Sequence, residues 1–217
     1  MSSGHVPDAA DFVGPAGNAT DKYRSGNALT RALLQRFLRE IDEGVDLVGP
    51  TSILDVGCGE GVVTERLAHR TGAPTIGVDL GDEALRDEWR TRERESLTFR
   101  AASAYDLPYA DGSFDLVCAL EVLEHLERPR TALAEIGRVA RRAVLVSVPR
   151  EPLWRLSHLL AGRDVRSLGN TPGHVNHWSA HGFARLVAEF GSARWARRPF
   201  PWTVLLYEPL RRSLADG

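Results

Sequence analysis

Apolar residues along this 217-residue chain repeat at two alternating periods. Over Asn27 to Ile41, the residues Leu33, Leu34, Phe37, Leu38 and Ile41 recur at helical spacing, which predicts an amphipathic helix ahead of the first strand. Short apolar runs then alternate with helix-period segments. They predict strand over 52–56, helix over 60–70, strand over 75–79 and helix over 82–94. Strands follow over 97–101 and 114–119, then helix over 131–140 and strand over 142–148. Alternation of this kind predicts an α/β fold, a parallel sheet with helices on both faces.

The pattern changes after Pro149. Leu153, Trp154, Leu156, Leu159 and Leu160 share one side of a short predicted helix, and a polar stretch runs on to Gly173. This insertion, 150–178, precedes a helix expected to start after Ser179, a residue suited to an N-cap. It reads either as a cover over a ligand at the cofactor end of the sheet or as apolar side chains that close the core. Two more strands are expected over 193–199 and 202–207. Residues 1–20, rich in Gly, Ala, Ser, Asp and Pro, are expected to be a flexible segment, leaving 21–217 as one domain.

The chemistry concentrates in Ile53-Leu54-Asp55-Val56-Gly57-Cys58-Gly59-Glu60-Gly61. A buried strand, a tight glycine turn and a helix start let a nucleotide-like cofactor lie against bare backbone. A dinucleotide fingerprint starting at Gly57 needs a third glycine at position 62, which is Val62. The glycines fall instead at 57, 59 and 61, two positions behind an acid. Asp55 is a poor neighbour for a phosphate and a tolerable one for a cation. S-adenosyl-L-methionine has no phosphate, a sulfonium and an ammonium group, so the loop favours it over NAD.

Asp79 closes the next apolar run, Thr75-Ile76-Gly77-Val78, where a carboxylate can accept both ribose hydroxyls. Further on come Leu107-Pro108-Tyr109, Asp111-Gly112-Ser113-Phe114-Asp115-Leu116-Val117 and Glu121-Val122-Leu123-Glu124-His125-Leu126. In order and spacing, these segments over roughly residues 50–148 resemble the motifs of class I S-adenosylmethionine-dependent methyltransferases. The closest branch acts on small molecules and includes the ubiquinone and menaquinone biosynthetic enzymes. That resemblance implies a Rossmann-like doubly wound sheet of seven strands, mostly parallel, with the last two strands as an antiparallel edge hairpin.

It also implies site residues. Gly57 and Gly59 leave room for the methionine portion, Asp55 meets the ammonium directly or through water, and Asp79 binds the ribose. The ordinary alternative for an acid at a strand end is a turn or cap. Leu80 would pack on the adenine, with Ser103, Ala104 and Tyr105 around it. Ser103 stands where relatives often have an acid, and Asp106 does not inherit that role. Glu121 would face the methionine end or the acceptor. Tyr23 either closes over the cofactor or staples the first helix.

Methyl transfer needs chiefly alignment, so catalytic residues are less legible than binding ones. His125, His174 and His177 are the candidate bases, because an imidazole titrates near neutrality. For His125 the alternative is helix capping or a structural hydrogen bond. The segment Gly173-His174-Val175-Asn176-His177-Trp178 is either a substrate-facing wall or a plug tying the insertion to the sheet. No metal site is expected, since this chemistry does not demand one.

Composition narrows the partners. A net charge of −2 gives no electrostatic reason to expect a nucleic acid or a membrane, and no run approaches the roughly 20 apolar residues of a span. The expected partner is a small-molecule methyl acceptor, with oxygen favoured over nitrogen or carbon by the histidines. A methyltransferase of nucleic acids and a cofactor-binding regulator without catalysis are the alternatives. Cys58 and Cys118 fall inside predicted elements and read as reduced thiols of a cytoplasmic protein, a monomer or loose homodimer.

Overall fold

The computed structural model describes residues 28–150 and 175–210. Seven strands form one sheet in the order β3-β2-β1-β4-β5-β7-β6. They are β1 (Ile53–Val56), β2 (Thr75–Asp79), β3 (Leu97–Ala101), β4 (Phe114–Leu120), β5 (Ala140–Pro149), β6 (Gly191–Arg197) and β7 (Trp202–Pro209). The first five pair in parallel, while β7 runs antiparallel to both β5 and β6. This is the Rossmann-like, mostly parallel sheet with an antiparallel edge hairpin that the sequence led us to expect. The order reverses between β1 and β4, and ligands of open α/β sheets bind beyond the carboxyl ends of the strands at such a point.

Helices α1 (Ala28–Val48), α2 (Val62–Thr71), α3 (Glu83–Arg92), α4 (Pro129–Val139) and α5 (Ala180–Ala188) flank the sheet. Alternate residues of each strand feed opposite cores. Leu54, Val117, Val144, Val146 and Leu205 pack with Leu133 and Ile136 of α4 and Phe183 of α5. Their neighbours Ile53, Leu116, Leu145 and Leu206 pack with Phe37, Leu38 and Ile41 of α1 and Leu67 of α2. The first helix outruns its predicted end at Ile41, because Val45 and Val48 continue the same buried face. Ser179 caps α5 as expected, its hydroxyl accepting from the Gly182 amide at 3.1 Å. Both cysteines are free thiols. No helix among the described residues is long and apolar enough to cross a membrane.

Asp115, at the start of β4, clamps the amino end of the sheet. Its Oδ2 accepts from the Thr51 hydroxyl at 2.6 Å and the Thr51 amide at 2.9 Å, and its Oδ1 accepts from Arg141 Nε at 2.7 Å. Burial pushes its pKa up, but the Thr51 bonds and the Arg141 guanidinium outweigh burial and hold it at about 2. The carboxylate therefore contributes stability that is full above the unfolded pKa, near 4, and is lost as pH falls through about 2. Asp115→Asn should lower unfolding free energy at neutral pH by on the order of 2 kcal/mol. Urea melts of the two proteins should converge as pH drops through that window. A gap unchanged by pH would refute the ionic origin of the clamp.

Candidate active site

The glycine loop between β1 and α2 is tied inward. The Gly57 and Cys58 amides donate to Val78 O at 2.7 and 3.0 Å, and the Gly61 amide donates to Cys58 O at 3.0 Å. The Gly59 amide donates to Asp79 Oδ2 at 2.9 Å. These four N–H groups are already committed within the protein.

Gly57 (φ 74°) and Gly59 (φ 53°) hold left-handed backbone, where a side chain is strained. They serve different purposes. A Cβ on Gly57 would lie 2.4 Å from Val122 Cγ2, so the loop is seated on the turn after β4. A side chain at 57 would therefore collide with Val122 within the protein itself. A Cβ on Gly59 would meet nothing within 4 Å, and this is the open face of the loop.

Asp79, half-buried at the end of β2, accepts the Leu80 amide on Oδ1 at 2.7 Å as well as the Gly59 amide on Oδ2. Its carbonyl accepts from the Ala102 amide at 2.9 Å, which brings the segment after β3 alongside. Leu80 is 78% exposed, an uncommon position for a leucine and a ready apolar platform beside Asp79. Ser103 Oγ accepts from the Tyr105 amide at 3.2 Å. Ala104 and Tyr105 pack against the core, and the Arg128 guanidinium lies 4.5 Å from the Tyr105 ring centroid. Gly57, Gly59, Asp79, Leu80, Ser103, Ala104 and Tyr105 thus share one rim of the sheet.

Asp55 lies beneath that rim, 3% exposed, and accepts from the Thr64 hydroxyl at 2.7 Å. Its burial removes the direct route to a ligand ammonium and leaves an electrostatic one. Burial first, and then the charge of Asp79, push its pKa up to about 7 against the opposing Thr64 bond. An opposite charge placed above Asp79 would relieve both acids.

Glu121, after β4, has φ 60°, and among the described residues it is the one non-glycine with positive φ. Its carboxylate accepts from Ser147 Oγ at 2.9 Å and from Trp202 Nε1 at 2.7 Å. His125 closes the short 3-10 turn Leu123–His125 that follows, and is half-buried. The segment carrying His177 is sewn onto this turn. The Val175 and Asn176 amides donate to Glu124 O at 2.9 and 3.0 Å, and Asn176 Nδ2 donates to Leu126 O at 2.6 Å. His177 itself is exposed. His174 and Tyr23, and nearly all of the 150–178 insertion, lie outside the described residues. Among the described residues no three His, Cys, Asp or Glu side chains gather as a metal ion would require.

Sequence reasoning missed Thr64, Val122, Ser147, Asn176 and Trp202. Asn176 sat in view between two histidines, and amide side chains that serve backbone carbonyls leave no pattern. Trp202 is 81 residues from Glu121, beyond any local motif.

Residues 54–147 match the family model described as a methyltransferase domain. Among curated proteins, the chain is 36% identical over 111 residues to the O-methyltransferase rstn1 of Aspergillus nomiae, covering 49% of each chain. It is 28% identical over 187 residues to the ubiquinone biosynthesis O-methyltransferase of Dechloromonas aromatica, covering 82% of this chain and 77% of that one. This chain spans about half the length, or less, of the first of its curated relatives. Among solved structures, magnesium protoporphyrin IX methyltransferase from Synechocystis PCC 6803 with bound SAH superposes with a TM-score of 0.64. Its identity is 19%, over 88% of this chain and 94% of that one, and it supports the fold.

Asp55→Asn should separate the buried charge from the buried hydrogen bond. Because its folded pKa is raised, the wild-type acid contributes stability that is full below about pH 4 and lost as pH rises through about 7. The variant lacks this loss. Its stability relative to wild type should grow between about pH 4 and 7 by on the order of 4 kcal/mol in chemical melts. A constant difference would show that Asp55 is ionised throughout.

Proposed function

We propose that this chain, whose residues 54–147 form a methyltransferase domain of the S-adenosylmethionine-dependent class I family, methylates a small organic acceptor at oxygen. The observation that carries the cofactor reading is the glycine loop. The amides of Gly57, Cys58, Gly59 and Gly61 are bonded internally, its open face is Gly59, and two acids stand beneath and beside it. Such a site favours a ligand with a cationic end over one with a pyrophosphate.

S-adenosylmethionine supplies a methyl group on a sulfonium, open to in-line displacement by a nucleophile. The chain's own work is alignment and charge. Asp79 receives the ribose hydroxyls while tying the loop to β2, and Leu80 offers the adenine an apolar face. Asp55 adds negative potential below the cationic end. Holding two reactants in line can supply roughly 7–11 kcal/mol of the barrier without acid–base chemistry.

Oxygen is favoured on two grounds. Several curated relatives carry the name O-methyltransferase, and His125 and His177 stand on one hydrogen-bonded unit past β4. An imidazole there can take the proton of a hydroxyl as the oxygen attacks.

Calorimetry should show S-adenosylmethionine and S-adenosylhomocysteine binding, with NAD(H) inert. Asp79→Ala should weaken both by about tenfold or more, since it loses a charged hydrogen-bond acceptor and frees the loop. Tight NAD(H) binding without the other two would overturn the cofactor reading. At equal cofactor occupancy, His125→Ala or His177→Ala should slow transfer to a hydroxyl by roughly 10²-fold or more. Full turnover in both variants would remove the histidine base.

A further inference from the structure

Arg150 follows β5 at the carboxyl edge of the sheet, beyond the half that carries Gly59 and Asp79. Its amide donates to Pro201 O at 2.8 Å, which extends the β5–β7 ladder by one residue. It also forms an isolated β-bridge with Trp178, at the end of the segment sewn onto the turn bearing His125. The backbone of Arg150 is thus held both by the start of β7 and by the chain that continues from the histidine-bearing turn.

The side chain is not satisfied to the same degree. Arg150 is half-buried, and its Nε is enclosed without a hydrogen-bond partner. Among the described residues its guanidinium makes no ion pair, whereas Arg66, Arg92, Arg138 and Arg141 each hold an acid. A buried N–H on a charged group is costly to leave unbonded, and a bound anion is the partner that satisfies it best. Thr203 stands beside it. It is 2% exposed, and its hydroxyl also has no hydrogen-bond partner. Val148 pairs with Thr203, and two steps along the ladder Arg150 meets Pro201. Alternate residues of a strand share a face, so Arg150 and Thr203 are diagonal neighbours on the face of Val148. Such neighbours lie roughly 7–8 Å apart, within reach of a long side chain. Trp202, which donates to Glu121, alternates onto the opposite face with Phe37. A guanidinium only donates and a hydroxyl can donate, so the group that suits both is one that only accepts. A planar carboxylate matches the guanidinium fork with two parallel bonds, whereas a phosphate would leave further oxygens to be served.

We propose that the Arg150 guanidinium, with the Thr203 hydroxyl, receives a carboxylate of the methyl acceptor, so that the acceptor is an organic anion. The inference rests on the proposed methylation of a small acceptor and names its chemical class. In that transfer the acceptor hydroxyl loses its proton and its oxygen takes the methyl group from the sulfonium. The carbon–sulfur bond breaks, S-adenosylhomocysteine leaves, and the carboxylate serves unchanged as a handle. A handle gripped from the fixed end of β5 limits where the hydroxyl can stand relative to a donor over β1 and β2. It also discriminates, since an acceptor without the anion leaves the guanidinium unpaired.

Benzoate and benzamide are probes of one shape that differ in charge. Ligand-detected NMR should find benzoate bound about tenfold or more tighter than benzamide, both to the protein alone and to protein loaded with S-adenosylhomocysteine. Arg150→Gln should abolish that preference, and Arg150→Lys, which keeps the charge without the fork, should restore it only in part. Thr203→Val should weaken benzoate binding by about threefold or more. The calorimetric Kd for S-adenosylhomocysteine should stay within about twofold in all three variants, which a general loss of structure would not allow. Equal affinity for the two probes in the wild type, or a preference that survives Arg150→Gln, would overturn the proposal. Phenyl phosphate bound more tightly than benzoate, with the difference lost in Arg150→Gln, would overturn the carboxylate assignment in favour of a phosphate. Protein that prefers benzoate through Arg150 yet does not bind S-adenosylhomocysteine would support the anion site and overturn the cofactor reading instead. Should Arg150→Gln fail to fold, Arg150→Lys and Thr203→Val carry the same comparison.

Discussion

The carboxylate of Asp79, held between the amides of Gly59 and Leu80, organises the carboxyl edge of the sheet. One oxygen fixes the glycine loop to β2 and the other fixes the turn that exposes Leu80. Its own carbonyl takes the Ala102 amide, so the ends of three strands meet at one residue. An acid in this position does what a basic residue could not. It takes up the Gly59 N–H of the loop and presents negative charge beside it.

That choice has an electrostatic cost, visible in Asp55. A second carboxylate buried beneath the first is poorly tolerated, and burial together with the charge of Asp79 raises its pKa to about 7. Thr64 supplies one compensating hydrogen bond from the first turn of α2. The pair therefore stores unfavourable charge that a cation above the loop would neutralise, which is selection by chemistry rather than by shape. Asp115 shows the contrast at the opposite end of the sheet. It is equally buried, but two donors from Thr51 and a guanidinium make its charge a staple. The same residue type is held ionised where donors converge and is pushed toward its neutral form where they do not.

The alternating pattern of the chain was sufficient for the parallel strands and their helices, because strand and helix periods are local properties, whereas the antiparallel edge hairpin came from the family resemblance. The positions of Gly57, Gly59, Asp79 and Glu121 at the carboxyl edge of the sheet were legible because each sits at the end of an element that the pattern delimits. What the sequence did not reveal is relational. The close approach of Val122 to Gly57, 65 residues away by chain number, is brought about by the β1–β4 pairing. The end of α1 was underestimated because Val45 and Val48 look like a new segment until they are seen to share a face with Ile41. Asn176 was overlooked because its task, satisfying carbonyls of the 3-10 turn, requires no partner of recognisable type.

The rim divides at the point where strand order reverses. On one side stand the glycine loop, Asp79 and the exposed Leu80. On the other, Glu121 is held by β5 and β7, and the turn bearing His125 receives the chain at Asn176. In-line transfer needs donor and acceptor to approach from opposite sides of the travelling carbon, with small tolerance for misplacement. On the proposed methyl-transfer reading, a single rigid sheet edge would meet that need. The turn from Glu121 to Val122 joins the halves, since one residue faces the antiparallel strands and the next seats the glycine loop. The left-handed backbone at Glu121 is enforced in that turn, where Ser147 and Trp202 hold its carboxylate.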